Sequence, residues 1–138
     1  MKIQTRAMNG VTILDIDGRL LRYVNAGHNP QFVLQGAAGI SALASTGMPI
    51  ALYAGHGYSE ASVELAAGDL LFFYTDGLVE TENEQKDMFG AERLEAILER
   101  VRTAGIDTIL QTVEERVKAF RGSAEPFDDA TMMALRIS

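Results

Sequence analysis

Residues 68–81 constrain this chain more than any other stretch. Gly68-Asp69 is a turn pair, and Leu70-Leu71-Phe72-Phe73-Tyr74 is an unbroken apolar and aromatic run. A short run of that composition, bounded by turn residues, predicts a buried strand. It stops at Thr75-Asp76-Gly77, so a carboxylate stands at the end of a core strand and a glycine lets the backbone turn at once. One reading is a strand followed by an ordinary Asp-Gly turn. The other is a carboxylate held still at the edge of a core, where a metal ion or substrate can reach it. Spacing alone does not choose between them.

A length of 138 residues points to one domain, and 47% apolar with 22% charged residues is usual for a folded chain. No apolar run approaches the roughly 20 residues that span a bilayer. Met1-Lys2-Ile3-Gln4-Thr5-Arg6 lacks the apolar core of a signal peptide. These features predict a cytoplasmic chain without membrane attachment. Cysteine is absent, which excludes disulfides and thiolate metal sites, so any metal must be held by oxygen or histidine. A net charge of −7 argues against nucleic acid as a partner.

Residues 1–17 read as a β-hairpin around Met8-Asn9-Gly10. Asp15 and Asp17 fall on one face near its end, either as a solvated turn or as like charges separated by a cation. Residues 20–25 read as a strand. Residues 31–35 are expected to return as its hairpin partner, across Ala26-Gly27-His28-Asn29-Pro30. His28 sits at the tip of that connection, and a lone loop histidine is usually just solvated. Residues 36–57 are rich in glycine and predict no long element; His56 within them is expected to be exposed. Residues 58–65 read as a strand.

Beyond Gly77 the chain turns polar, then helical. Leu94, Ile97, Leu98 and Val101 follow the spacing of an amphipathic helix over 91–101. Gly105 ends it, and Asp107 is expected to cap a second helix with Ile109, Leu110, Val113, Val117 and Phe120 inward. Phe127-Asp128-Asp129-Ala130-Thr131 leads into a last strand over 132–137. Acidic clusters at 15/17, 76 and 128/129 thus each adjoin a strand. Carboxylates without cysteine suit a hard cation such as Mg²⁺ or Mn²⁺.

Leu21-Arg22-Tyr23-Val24-Asn25-Ala26-Gly27-His28-Asn29-Pro30, the 68–80 segment, Phe89-Gly90 and Phe127-Asp128-Asp129-Ala130-Thr131 occur in this order. Together they resemble the catalytic domain of PPM-type, metal-dependent serine/threonine phosphatases of the SpoIIE/RsbU-like branch, over about residues 20–137. The resemblance implies an α+β fold, an antiparallel sheet sandwich with helices. It also implies a two-metal Mg²⁺ or Mn²⁺ site that hydrolyses phosphoserine or phosphothreonine on a protein. Asp76 and Asp128 match metal-binding aspartates, Asp129 and Gly77 stand beside them, and His28 matches a turn near the metals.

The family's first half carries two long helices and an Asp-x-x-Gly-His-Gly motif whose aspartate bridges the metals. Asp15 is the candidate here, in a segment without His-Gly. Residues 1–19 are also similar to the start of a STAS domain, the anti-sigma-factor antagonist fold on which such phosphatases act. The expected chain is therefore one truncated or chimeric domain, a STAS-like hairpin on 1–19 and a phosphatase-like part on 20–138, without the first helical pair. The implied substrate is a phosphorylated STAS-type antagonist protein in anti-sigma regulation. The alternatives are a non-catalytic phosphatase-like interaction module and an inactive chimeric fragment. A sheet face without its helical cover predicts a homo-oligomer. Light scattering should show association at micromolar concentration; a sharp monomer would refute it.

Overall fold

Among the residues described by the computed structural model (2–7, 10–17, 19–36, 38–50, 57–126 and 128–138, the first two segments as backbone), seven strands, then three helices, then an eighth strand follow in an α+β order. They divide into two compact units, residues 1–31 with 42–67, and residues 32–41 with 68–138.

The first unit holds an antiparallel sheet in the order β1-β2-β3-β6. The hairpin of β1 (Lys2–Ala7) and β2 (Gly10–Asp17) is as expected; its turn residues Met8 and Asn9 lie outside the described residues. The register sets Asp15 opposite Lys2 on one side and Arg22 on the other. Strand β3 (Leu20–Asn25) alternates, with Leu21, Tyr23 and Asn25 buried. β6 (Ala61–Glu64), shorter than the 58–65 expected, pairs with β3.

The second sheet runs β5-β4-β7-β8. Here the sequence expectation fails: β4 (Gln31–Gln35) is not the hairpin partner of β3. It pairs with β7 (Leu70–Tyr74), Phe32 facing Phe72 and Leu34 facing Leu70. The reason lies in its burial. Phe32, Val33 and Leu34 are all inside, so both faces of the strand are covered, unlike an alternating hairpin arm with one wet face. A five-residue strand, β5 (Gly39–Leu43), also occupies the stretch expected to lack long elements. His56 lies outside the described residues.

All five residues of β7 are buried. Leu70, Phe72 and Tyr74 join Phe32 and Leu34 in one cluster with Leu94 and Leu98 of α2 (Ala91–Val101) and Ile109 and Val113 of α3 (Ile106–Arg121). The helix periodicities are as expected, with one correction. Gly105, not Asp107, is the N-cap of α3, and Asp107 lies in the first turn, where its charge favours the helix dipole. β8 (Met132–Arg136) closes the sheet against β7. The turn before β7 uses Gly68 at φ 93°, a conformation glycine adopts without strain. Buried Asp69 accepts a hydrogen bond from Gln35 at 3.2 Å, and the Gly68 N–H donates to Ile137 O at 2.8 Å. No helix among the described residues is long and apolar enough to cross a membrane.

Tyr74 stacks on Phe32 at 5.9 Å between ring centres. Burial, with the Glu95 charge in second place, pushes its phenol from 10.0 up to about 12. The fold therefore favours the neutral phenol. That contribution is complete below pH 10 and is lost as pH rises through about 12. In an ultraviolet titration Tyr74 should ionise last of the four tyrosines, together with unfolding. Early, reversible ionisation of all four would contradict its place in the core.

Candidate functional site

Sequence places Asp76 and Asp128 fifty-two residues apart, and the β7–β8 ladder brings their segments side by side. Tyr74 faces Met132 at the end of the register, and the pairing continues past it. The Thr75 N–H donates to Thr131 O at 3.0 Å, and the Thr131 N–H donates back to Thr75 Oγ1 at 3.0 Å. The Thr75 hydroxyl also reaches Asp129 O, at 3.4 Å. Thr75 thus joins the two acidic segments, a role the sequence reading missed. Its position, a hydrogen-bonding residue directly after a core strand, was the only signal.

The chain then turns into α1 (Asp76–Val79), a single helical turn where an open Asp-Gly turn was expected. Gly77 is what allows the close approach. A Cβ at this position would lie 2.6 Å from Asp129 O and 3.5 Å from Asp128 Cβ. Oδ1 of Asp76 accepts the Gly77 N–H at 3.0 Å, and Oδ1 of Asp128 accepts the Asp129 N–H at 2.7 Å. Each carboxylate is therefore oriented by its own backbone through one oxygen, while Oδ2 makes no hydrogen bond to a described residue. Asp76 is half-buried; Asp128 and Asp129 are exposed.

The following segment is clamped. Thr81 Oγ1 donates to Gly77 O at 2.8 Å, the Phe89 N–H to Thr81 O at 2.8 Å, and the Gly90 N–H to Val79 O at 2.8 Å. Glu84 accepts from the Ser123 hydroxyl at 2.6 Å and the Ser123 N–H at 3.2 Å, which holds its carboxyl below the usual range. A cleft of about 310 Å³ opens beside this segment, walled by Gly77, Glu80, Glu82, Asp128 and Asp129 and by Glu114, Lys118 and Arg121 of α3. Asp76 does not line it.

Asp76, Gly77, Asp128 and Asp129 are thus brought together within the second unit. Phe127, which precedes them in the motif, lies outside the described residues. Asp15 and His28 belong to the first unit; the Asp15 side chain lies outside the described residues. The His28 loop is organised by Asn25, a fully buried side chain that sequence reasoning passed over. Its Oδ1 accepts the His28 N–H at 2.9 Å, and its Nδ2 donates to Leu43 O at 3.1 Å. His28 Nδ1 lies 2.9 Å from both Asn29 O and Gln31 Nε2.

Among the described residues no three carboxylate or imidazole groups converge as a metal-ligand set. What comes together is the Asp76-Gly77 turn and the Asp128-Asp129 turn, across the cradle left by Gly77; one carboxylate on each is a donor set of the kind a hydrated divalent ion takes, since Mg²⁺ binds one or two carboxylates and keeps several waters. Gly77→Ala should disturb this contact and cost about 1–3 kcal/mol of stability, the usual result of overpacking. Gly36→Ala, whose Cβ would meet nothing within 4 Å, is the control. Equal urea midpoints for the two variants would refute the close approach.

Comparison with known proteins gives a consistent result. Residues 7–138 match the profile of the family described as Stage II sporulation protein E (SpoIIE). The match includes β2, a strand in the stretch compared above with a STAS domain. Protein IcfG of Synechocystis sp. is 31% identical over 123 residues, which is 89% of this chain and 19% of that protein. The SiaA-PP2C domain of Pseudomonas aeruginosa superposes with a TM-score of 0.76 at 21% identity, over 94% of this chain and 51% of that one. The RsbU and RsbW domains of Rv1364c from Mycobacterium tuberculosis give 0.71 at 26% identity, over 92% and 35%. The chain therefore spans about half, or less, of the length of these relatives.

Proposed function

The chain belongs to the SpoIIE family, and on that ground we propose that it acts in metal-dependent hydrolysis of phosphoserine or phosphothreonine on a protein. It is a SpoIIE/PP2C phosphatase-like domain. The single observation that supports this reading is the approach of Asp76-Gly77 to Asp128-Asp129, at the end of the fully buried strand β7.

In this reading Asp76 and Asp128 would hold Mg²⁺ or Mn²⁺, with Asp129 beside them. The ion, when bound, supplies Lewis acidity and a water of lowered pKa. The protein's part is positional. β7 fixes Asp76, the Thr75–Thr131 hydrogen bonds fix the entry to β8, and Gly77 permits the contact between the two turns. Asp15 is proposed as a further ligand, and His28 as part of a turn near the metals, from the family resemblance alone. A protein that carries RsbU and RsbW domains on one chain is among the similar structures. That supports a phosphorylated regulatory protein of the STAS antagonist type as substrate.

Hydrolysis of para-nitrophenyl phosphate, with and without Mn²⁺, tests the reading. Activity should need the metal. It should fall at least about a hundredfold in Asp76→Asn and Asp128→Asn, as expected when a charge-stabilising group is removed. Asp15→Asn, assayed alongside, decides whether Asp15 is a ligand or only a ladder residue. Equal rates in wild type and Asp76→Asn would overturn the proposed site and leave a phosphatase-like interaction module.

A further inference from the structure

Helices α2 and α3 each carry a second stripe beside the one that faces the core. On α2 it comprises Arg93, Ala96, Ile97, Arg100 and Val101; on α3 it comprises Thr112, Arg116, Ala119 and Phe120. These stripes, with Phe89, enclose a groove of about 490 Å³. Ile97, Val101 and Phe120 give it an apolar floor, and the small side chains of Ala96 and Ala119 leave it open.

Its charge is the unusual property. The whole chain has nineteen acidic and twelve basic residues, yet three arginines and no acid line this groove. Two other basic residues of this layer are neutralised locally: Arg102, just after α2, pairs with Glu99 at 3.0 Å, and Lys118 pairs with Glu114 at 2.5 Å. Around Arg93, Arg100 and Arg116, no position three or four residues away in either direction is acidic. Neither Arg100 nor Arg116 forms an ion pair with a described residue. Arg93 is fixed in place. It donates to Met88 O at 3.0 Å and Phe89 O at 2.7 Å, and its guanidinium lies 4.9 Å from the centre of the Phe120 ring.

We infer that the α2–α3 groove is a docking site for an amphipathic helix of a partner protein, with apolar side chains in the groove and acidic residues on its flanks. Apolar anchors at i, i+3, i+4 and i+7 suit a groove between two helices. The unpaired arginine rim selects acidic flanks through charge complementarity, which acts chiefly on association rate and partner choice. The groove lies on the helical layer and not at the Asp76–Asp128 contact, so the inference does not depend on the phosphatase reading.

Two displayed libraries of amphipathic helical peptides test it. Both randomise the apolar stripe among leucine, isoleucine, phenylalanine and methionine; one has glutamate flanks and the other has lysine flanks. Selection on the full chain should enrich the glutamate library. The selected peptides should shift amide resonances of residues 93–101 and 112–120 and bind more weakly at high salt. Arg100→Glu with Arg116→Glu, two exposed substitutions, should lower their affinity about tenfold or more and transfer preference to the lysine library. Circular dichroism of the double variant shows that it is folded. No enrichment, equal enrichment of both libraries, or resonance shifts elsewhere would overturn the proposal. So would a wild-type dimer that the double variant abolishes, because a second copy would then be the occupant.

Discussion

The pairing of β7 with β8 is the interaction on which the rest of the second unit depends. It is a long-range contact, with Leu70 facing Arg136 and Tyr74 facing Met132. Along its length it supplies the floor on which α2 and α3 pack. At its end it supplies the Thr75–Thr131 hydrogen bonds that bring two acidic turns together. Core and candidate site are therefore consecutive parts of one ladder. This explains why the carboxylates lie close to the strand ends, Asp76 after β7 and Asp128 before β8. A group on a long loop would need its own ordering, at roughly 1–2 kcal/mol of backbone entropy per residue, whereas here the strands have already fixed the flanking residues.

Much of this arrangement was legible in the sequence, because it rests on short-range regularities. The run Leu70–Tyr74 becomes β7 with those bounds, and the heptad-like spacing of Leu94, Ile97, Leu98 and Val101 becomes α2. What was not legible depends on long-range pairing. The five residues between β3 and β4 have hairpin length, yet the two strands belong to different sheets, and β4 pairs with a strand nearly forty residues later. Turn composition cannot distinguish these outcomes. Three consecutive buried residues in β4 are the better guide, because a hairpin arm with one wet face would alternate.

The candidate site was legible unevenly for the same reason. Motif order pointed to Asp76 and Asp128, and the Gly77 cradle supplies a steric reason for a glycine at that position. Thr75 and Asn25 carried no local pattern, because their work is to hydrogen-bond segments distant in sequence. Asp15 was singled out by alternation, which puts it on one face with Asp17, and by the family resemblance; the register adds that it stands opposite Lys2 and Arg22 along the ladder.

The order β5-β4-β7-β8 places Asp76 and Asp128 on unequal supports. Asp76 follows a strand with a neighbour on each side, while Asp128 precedes a strand with a neighbour on one side among the described residues. Edge strands open at lower free energy than interior ones. Fraying that starts at β8 would carry Asp128 and Asp129 away while Asp76 stays anchored. The two acidic turns thus have a fixed jaw and a yielding jaw, and how long they stay together is set by how firmly a single edge strand stays zipped.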